Sequence, residues 1–237
     1  MTTLLKRAAK SLLLLIFLMP TVLVSAKKPV VAVLGDSYST FEGGVWPDKN
    51  ELWYFKQIPD GRTDVDGVEQ TWWSLLTAPE SPYELGVNNS YSGATISFTG
   101  YDGADYSDRS FISRMYGLGN PDIILVFGAT NDSWAGAPIG EYKDSGFTHE
   151  DLKSFRPALS CLLQNLKELY PQAQIYFLLN DSLRDEIDES ALAICRQQEI
   201  EVIELDAIDK HYGHPTRKGM QQIATAVRSR LDARNSQ

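Results

Sequence analysis

Five short runs of apolar, largely β-branched or aromatic residues recur along the chain, at 29–34, 84–87, 122–127, 175–179 and 202–205. Runs this short, bounded by glycine and polar residues, fit strands better than helices. Helical patterns lie between them at 71–77, 109–118, 148–170 and 188–198. A last amphipathic pattern begins near Thr216 and carries Met220, Ile223, Ala224, Val227 and Leu231. A parallel strand pair needs a crossover to return the chain, so this alternation predicts an α/β fold with helices on both faces of a parallel sheet. The near-continuous apolar character of the strands agrees with burial on both sides. No repeat, low-complexity tract or linker interrupts the pattern, so residues 27–237 are expected to form one domain.

The first 26 residues are set apart from that pattern. Lys6, Arg7 and Lys10 precede an apolar stretch at 11–24, and Val24-Ser25-Ala26 supplies small residues for cleavage. The stretch is shorter than the ~20 apolar residues of a membrane span, and its layout is that of a signal peptide. No cysteine follows it, so a lipoprotein anchor is not expected. The predicted mature protein is exported, to the periplasm or beyond, with no stable membrane anchor. Its removal takes away those three positive charges and no acidic residue, moving the net charge from −9 to −12. Such acidity disfavours nucleic acid and anionic membrane surfaces as partners and leaves a small-molecule or glycan substrate. Cys161 and Cys195 are the two cysteines. Cys161 falls at the edge of the Leu159, Leu162, Leu166 stripe, Cys195 faces inward, and their spacing leaves a disulfide open. His211 and His214 lack the third and fourth ligands that zinc requires, so neither metal nor cofactor is expected. His149 reads as a solvated residue in the first turn of a helix.

Four segments are predicted at the carboxyl edge of the sheet, where open α/β folds bind ligands. They are Gly35-Asp36-Ser37, Ser92-Gly93-Ala94, Gly128-Ala129-Thr130-Asn131-Asp132 and Gly213-His214-Pro215-Thr216. Together they supply acyl transfer. Ser37 would attack an ester carbonyl, and His214 would take its proton and return it to the leaving alcohol. The backbone N–H groups of Ser37 and Gly93 and the side-chain amide of Asn131 would receive the oxyanion.

This set resembles the SGNH (GDSL-type) hydrolase superfamily: an early Gly-Asp-Ser, an isolated glycine, Gly-x-x-Asn after the middle strand and a late His-Pro. The stretches at 35–40, 91–95 and 128–133 look like those of exported SGNH esterases of gut Bacteroidetes. The resemblance implies a flavodoxin-like three-layer α/β/α fold with a five-stranded, mostly parallel sheet. It also implies a metal-free esterase or lipase with Ser, Gly, Asn and His in the roles above. One position departs. The superfamily usually has Asp three residues before the histidine, and here that residue is His211. Asp209 is the first candidate to orient the imidazole and Asp206 the second, with a dyad completed by a backbone carbonyl as the third.

Aromatic residues crowd the long loop after the nucleophile. Trp72 and Trp73 are expected in the core. Trp46, Trp53 and Tyr54 lie in polar sequence and are expected to wall the substrate site, with Trp134 beside Asn131. Arg109 is a candidate contact to an anionic substrate group. The expected activity is removal of a short acyl group, acetyl above all, from a carbohydrate. A lipase, thioesterase or lysophospholipase is the enzymatic alternative, and a non-catalytic carbohydrate-binding relic the other.

Overall fold

A computed structural model of the chain describes residues 27–57 and 61–235. The predicted signal peptide lies outside the described residues. Strands β1 (Val30–Gly35), β2 (Glu84–Ser90), β3 (Ile123–Gly128), β4 (Gln174–Leu179) and β5 (Glu201–Glu204) form one sheet. All its pairs are parallel, in the order β2-β1-β3-β4-β5. Strand side chains alternate between two cores. Ala32, Leu34, Ile124, Val126 and Phe177 pack under α2 (Phe111–Arg114), α4 (Phe155–Leu169) and α5 (Asp185–Gln197). Val31, Val33, Leu125, Phe127 and Leu178 pack under α1 (Trp72–Leu76) and α6 (Arg217–Asn235). The predicted three-layer α/β/α arrangement is thus the one observed.

The order of strands places the functional edge. β1 lies between β2 and β3, and Gly35 pairs with Ser90 on one side and Phe127 on the other. The segments leaving β1, β2 and β3 therefore emerge side by side at the switch point of the sheet. A side chain at 35 would not fit there, because a Cβ would lie 2.6 Å from Ser90 Oγ and 2.7 Å from the Ser39 side chain.

Three boundaries differ from expectation. β2 runs on through Asn88, Asn89 and Ser90, although these residues are polar. Their buried side chains serve neighbouring backbone: Asn88 Nδ2 donates to the Ser39 carbonyl (2.8 Å) and Asn89 Nδ2 to the Arg114 carbonyl (3.1 Å). The helix expected from Thr148 begins instead at Phe155. The Thr148–Asp151 reciprocal pair exists, with Thr148 N donating to Asp151 Oδ2 at 2.7 Å, but it closes only a short 3-10 turn at Asp151–Lys153. Ser154 is extended, and the first helical N–H groups, of Phe155 and Arg156, turn to the carbonyls of Pro138 and Ile139. The third difference is a small antiparallel hairpin, β6 (Lys210–His211) with β7 (His214–Pro215), in sequence read as loop. Cys161 is buried rather than at an edge, and both cysteines are free thiols.

Candidate active site

Ser37 opens a single 3-10 turn (Ser37–Ser39) directly after β1. The buried Asp36 caps it, accepting from Tyr38 N at 3.0 Å. Burial pushes the Asp36 carboxyl up to about 7, against the Tyr38 N–H and the charge of Arg114, which favour its ionised form. Two core tryptophans hold the far end of the turn: Trp72 Nε1 donates to Ser39 Oγ (3.1 Å) and Trp73 Nε1 to the Ser39 carbonyl (2.9 Å).

His214 meets Ser37 across the chain, with Nε2 2.9 Å from Oγ. Its Nδ1 lies 3.0 Å from the carbonyl of Tyr212. A carbonyl can only accept, so Nδ1 carries the proton and Nε2 is left to accept from the Ser37 hydroxyl. The hairpin makes this bond. Tyr212 and Gly213, its two central residues, have φ of 47° and 73°, the pattern of a tight type I′ turn. Two tyrosines pin that turn to the sheet edge: Tyr38 donates to the Gly213 carbonyl (2.5 Å) and Tyr54 to the Pro215 carbonyl (2.8 Å). The imidazole is nearly buried, and its pKa falls to about 4. Burial is the main cause; the Tyr212 carbonyl opposes it, while Arg62 and Lys210 add to it through their charge.

The carboxylate expected to orient His214 is elsewhere. Asp209 Oδ2 accepts from Thr216 Oγ1, and Oδ1 lies 3.6 Å from Lys218 Nζ. Asp206 is exposed beside α6, lining a cleft of about 770 Å³ that includes neither Ser37 nor His214. The third candidate, a main-chain carbonyl, is the group found against Nδ1.

The expected oxyanion donors lie on the segments that leave the neighbouring strands β1, β2 and β3. Among the described residues, neither the Ser37 N–H nor the Gly93 N–H donates to another protein group. Gly93 has φ +80°, and a Cβ there would point into open space. Asn131 sits in the first turn of α3 (Thr130–Trp134), which Ala129 enters at φ 75°. Its Nδ2 donates one hydrogen to the Ala94 carbonyl (3.0 Å), and its Oδ1 accepts from Tyr101 Oη (2.8 Å). Its second amide hydrogen is left for the site. Asp132 ties the helix to the loop after Gly93, accepting from Ile96 N (2.8 Å) and Ser97 N (2.9 Å).

The aromatic residues divide differently from the sequence reading. Trp72 and Trp73 are core, as expected. Tyr54 is also fully buried, beneath the hairpin, and is no substrate wall. Trp53 stacks on the His214 imidazole, with centroids 3.6 Å apart and planes 7° from parallel, so the face expected for a sugar is covered by the histidine. Trp46 is 64% exposed and bonds the edge strand through its N–H to the Asn88 carbonyl. Trp134 is 44% exposed and stands edge-on to His214 at 5.7 Å. Arg109 is held by both oxygens of Asp108, at 2.9 and 3.2 Å. His149 is exposed, as expected, but lies in a turn ahead of α4 rather than in a first helical turn, against Phe98. Tyr101, Tyr38, Arg62 and the Tyr212 carbonyl were not singled out from sequence. Tyr101 had a faint signal, as an aromatic inside a Gly- and Asp-rich loop.

The three-layer α/β/α fold and the family it falls in are those of a hydrolase acting on ester bonds. Residues 29–231 match the GDSL-like lipase/acylhydrolase family, and the chain belongs to it. A crystal structure of a candidate GDSL-like lipase from Bacteroides ovatus is 52% identical, with a TM-score of 0.84 over 87% of this chain and 99% of that one. A second, from Bacteroides uniformis, is 51% identical, with a TM-score of 0.84 over 88% and 97%. The fold alone is shared with a family two carbohydrate esterase from Clostridium thermocellum solved with cellohexaose: 15% identity, a TM-score of 0.59, and coverage of 90% and 67%. No curated protein matches the chain.

Proposed function

We propose that the protein is an exported serine esterase that removes short acyl groups, chiefly acetyl, from carbohydrate. The observation that carries this reading is the 2.9 Å contact of Ser37 Oγ with His214 Nε2 on a ring whose other nitrogen bonds a carbonyl. That arrangement lets His214 take the Ser37 proton as Oγ attacks the ester. The tetrahedral oxyanion would be received by Ser37 N, Gly93 N and the second hydrogen of Asn131 Nδ2. The imidazolium then protonates the leaving alcohol, and water reverses the steps on the acyl-enzyme. Exposed Trp134 beside His214 offers an aromatic surface to a sugar. A carbohydrate esterase sharing the fold and solved with cellohexaose supports this reading.

Two measurements test it. A fluorophosphonate should label Ser37 in the folded protein; absence of an adduct would favour a carbohydrate-binding relic. Turnover of p-nitrophenyl esters should peak at acetate or butyrate, and acetylated oligosaccharides should release acetate. A peak at long chains would make it a lipase.

A further inference from the structure

The Tyr212 carbonyl gives the imidazole one fixed point. A ring held by a single acceptor can still swing about the Nδ1–O line, and that swing would carry Nε2 off Ser37 Oγ. One ring lies parallel to His214, that of Trp53, at 3.6 Å. The other aromatic neighbours meet it at an angle: Tyr38 at 58° and 5.4 Å, Trp134 at 68° and 5.7 Å, Tyr54 at 78° and 6.4 Å. The indole is therefore the surface that blocks a swing out of the imidazole plane on its side.

Trp53 is itself tied to the nucleophile. Its backbone N–H donates to Thr40 Oγ1 (2.9 Å), whose hydroxyl donates to the Ser37 carbonyl (3.0 Å). The clamp on the base and the turn bearing the nucleophile thus move as one unit. On the indole, the Arg62 guanidinium carbon lies 4.7 Å from the ring centroid, within cation–π range.

We propose that Trp53 is a positioning residue for acyl transfer, holding the plane of the His214 ring so that Nε2 stays on Ser37 Oγ where, among the described residues, no carboxylate does so. The proposal rests on the reading of Ser37 and His214 as nucleophile and base. Arg62 steadies the indole, and its charge opposes protonation of the ring. Because Trp53 acts through His214, its loss should lower kcat and leave KM nearly unchanged.

The test compares wild type with Trp53→Leu, Trp53→Phe and Arg62→Gln. The readouts are kcat and KM on p-nitrophenyl acetate, the rate of phosphonylation of Ser37 by a small fluorophosphonate, and thermal unfolding. Displacing a reacting group by about 1 Å costs about 10²-fold, so Trp53→Leu is expected to lose about that factor in both kcat and phosphonylation. Trp53→Phe should recover most of the loss, and the acid limb of the rate profile should rise in Trp53→Leu as water reaches the ring. Arg62→Gln should shift that limb upward as well, with a smaller loss of kcat. A raised KM with kcat kept would make Trp53 a substrate contact and overturn the proposal, as would unchanged kcat and phosphonylation. If Trp53→Leu does not fold, Trp53→Phe decides: a several-fold loss of kcat at constant KM supports the clamp, and full activity overturns it. A wild type that neither turns over esters nor takes the label overturns the esterase reading too. A reactive wild type with equally reactive variants overturns only the clamp.

Discussion

The imidazole of His214 is oriented by the main-chain carbonyl of Tyr212, two residues earlier, at 3.0 Å. The nearby Asp209 is engaged instead by Thr216 and Lys218. On the proposed reading, Ser37 and His214 work as a dyad with a neutral backstop. Among the described residues, the imidazolium of that mechanism would have a carbonyl dipole behind it and no carboxylate charge.

Asp209→Asn and Asp206→Asn should therefore turn over p-nitrophenyl acetate at close to the wild-type rate. Loss of a true triad carboxylate lowers kcat about 10⁴-fold, so steady-state kinetics separate the two cases without ambiguity. A large loss in either variant would contradict the backbone-carbonyl arrangement.

The rate profile should have an unusually low acid limb. As the proposed base, His214 would work only when neutral, and its pKa is held down at about 4 against an ordinary 6.5. kcat/KM is expected to rise through pH 4 and to be level well below neutrality. Stability follows the same group. Its folded pKa lies below the unfolded value, so the unfolded chain takes up the proton first as pH falls. The histidine's contribution is full above about 6.5 and is lost towards about 4, a destabilisation of about 3 kcal/mol at the lower end. Denaturant unfolding at both pH values should show this loss in wild type and a smaller one in His214→Gln.

Tyr101→Phe should lower kcat about tenfold with little change in KM, by releasing the Asn131 amide from its set orientation. Asn131→Ala removes the donor itself and should cost about 10²–10³ in kcat. Equal kcat in Tyr101→Phe and wild type would show that the Ala94 carbonyl alone orients Asn131.

Two glycine substitutions should separate stability from activity. Gly35→Ala places a methyl within 2.7 Å of Ser90 and Ser39 and is expected to cost about 1–3 kcal/mol of stability through overpacking. Gly93→Ala meets no atom within 4 Å, and its left-handed backbone costs about 1–2 kcal/mol. Its methyl projects into open space next to a proposed oxyanion donor, its own N–H, so esterase activity should fall by a larger factor than the small loss of stability explains. Thermal melts alongside kinetics on both variants provide the comparison.

Sequence was most informative where the signal is local. Apolar runs ending in glycine placed Ser37, Asn131 and the ends of β1 and β3, because burial on both faces of a parallel sheet demands such runs. β2 was cut short because the side chains of Asn88 and Asn89 spend their polarity on loop backbone that no periodicity reveals. Trp53 and Tyr54 are adjacent in the same polar loop, yet one stacks on the base and the other is buried beneath the hairpin. Nothing in residue type separates them; the direction of each side chain is set by long-range partners at 214 and 215. The Asp209 expectation failed for a related reason. The Nδ1 acceptor is a main-chain carbonyl, which any residue carries and which therefore leaves no signature in residue type.

The turn that follows β1 also shares a hydrogen bond with the hairpin, from Tyr38 Oη to the Gly213 carbonyl, across 175 positions of chain. This has a consequence for biosynthesis. A nascent or truncated polypeptide ending before Gly213 carries Ser37 without His214 and a turn without its brace. On the proposed mechanism, reactivity at Ser37 would arise only when the last segment of the chain has been made and docked, and a partly synthesised or unfolded copy would be chemically silent towards esters.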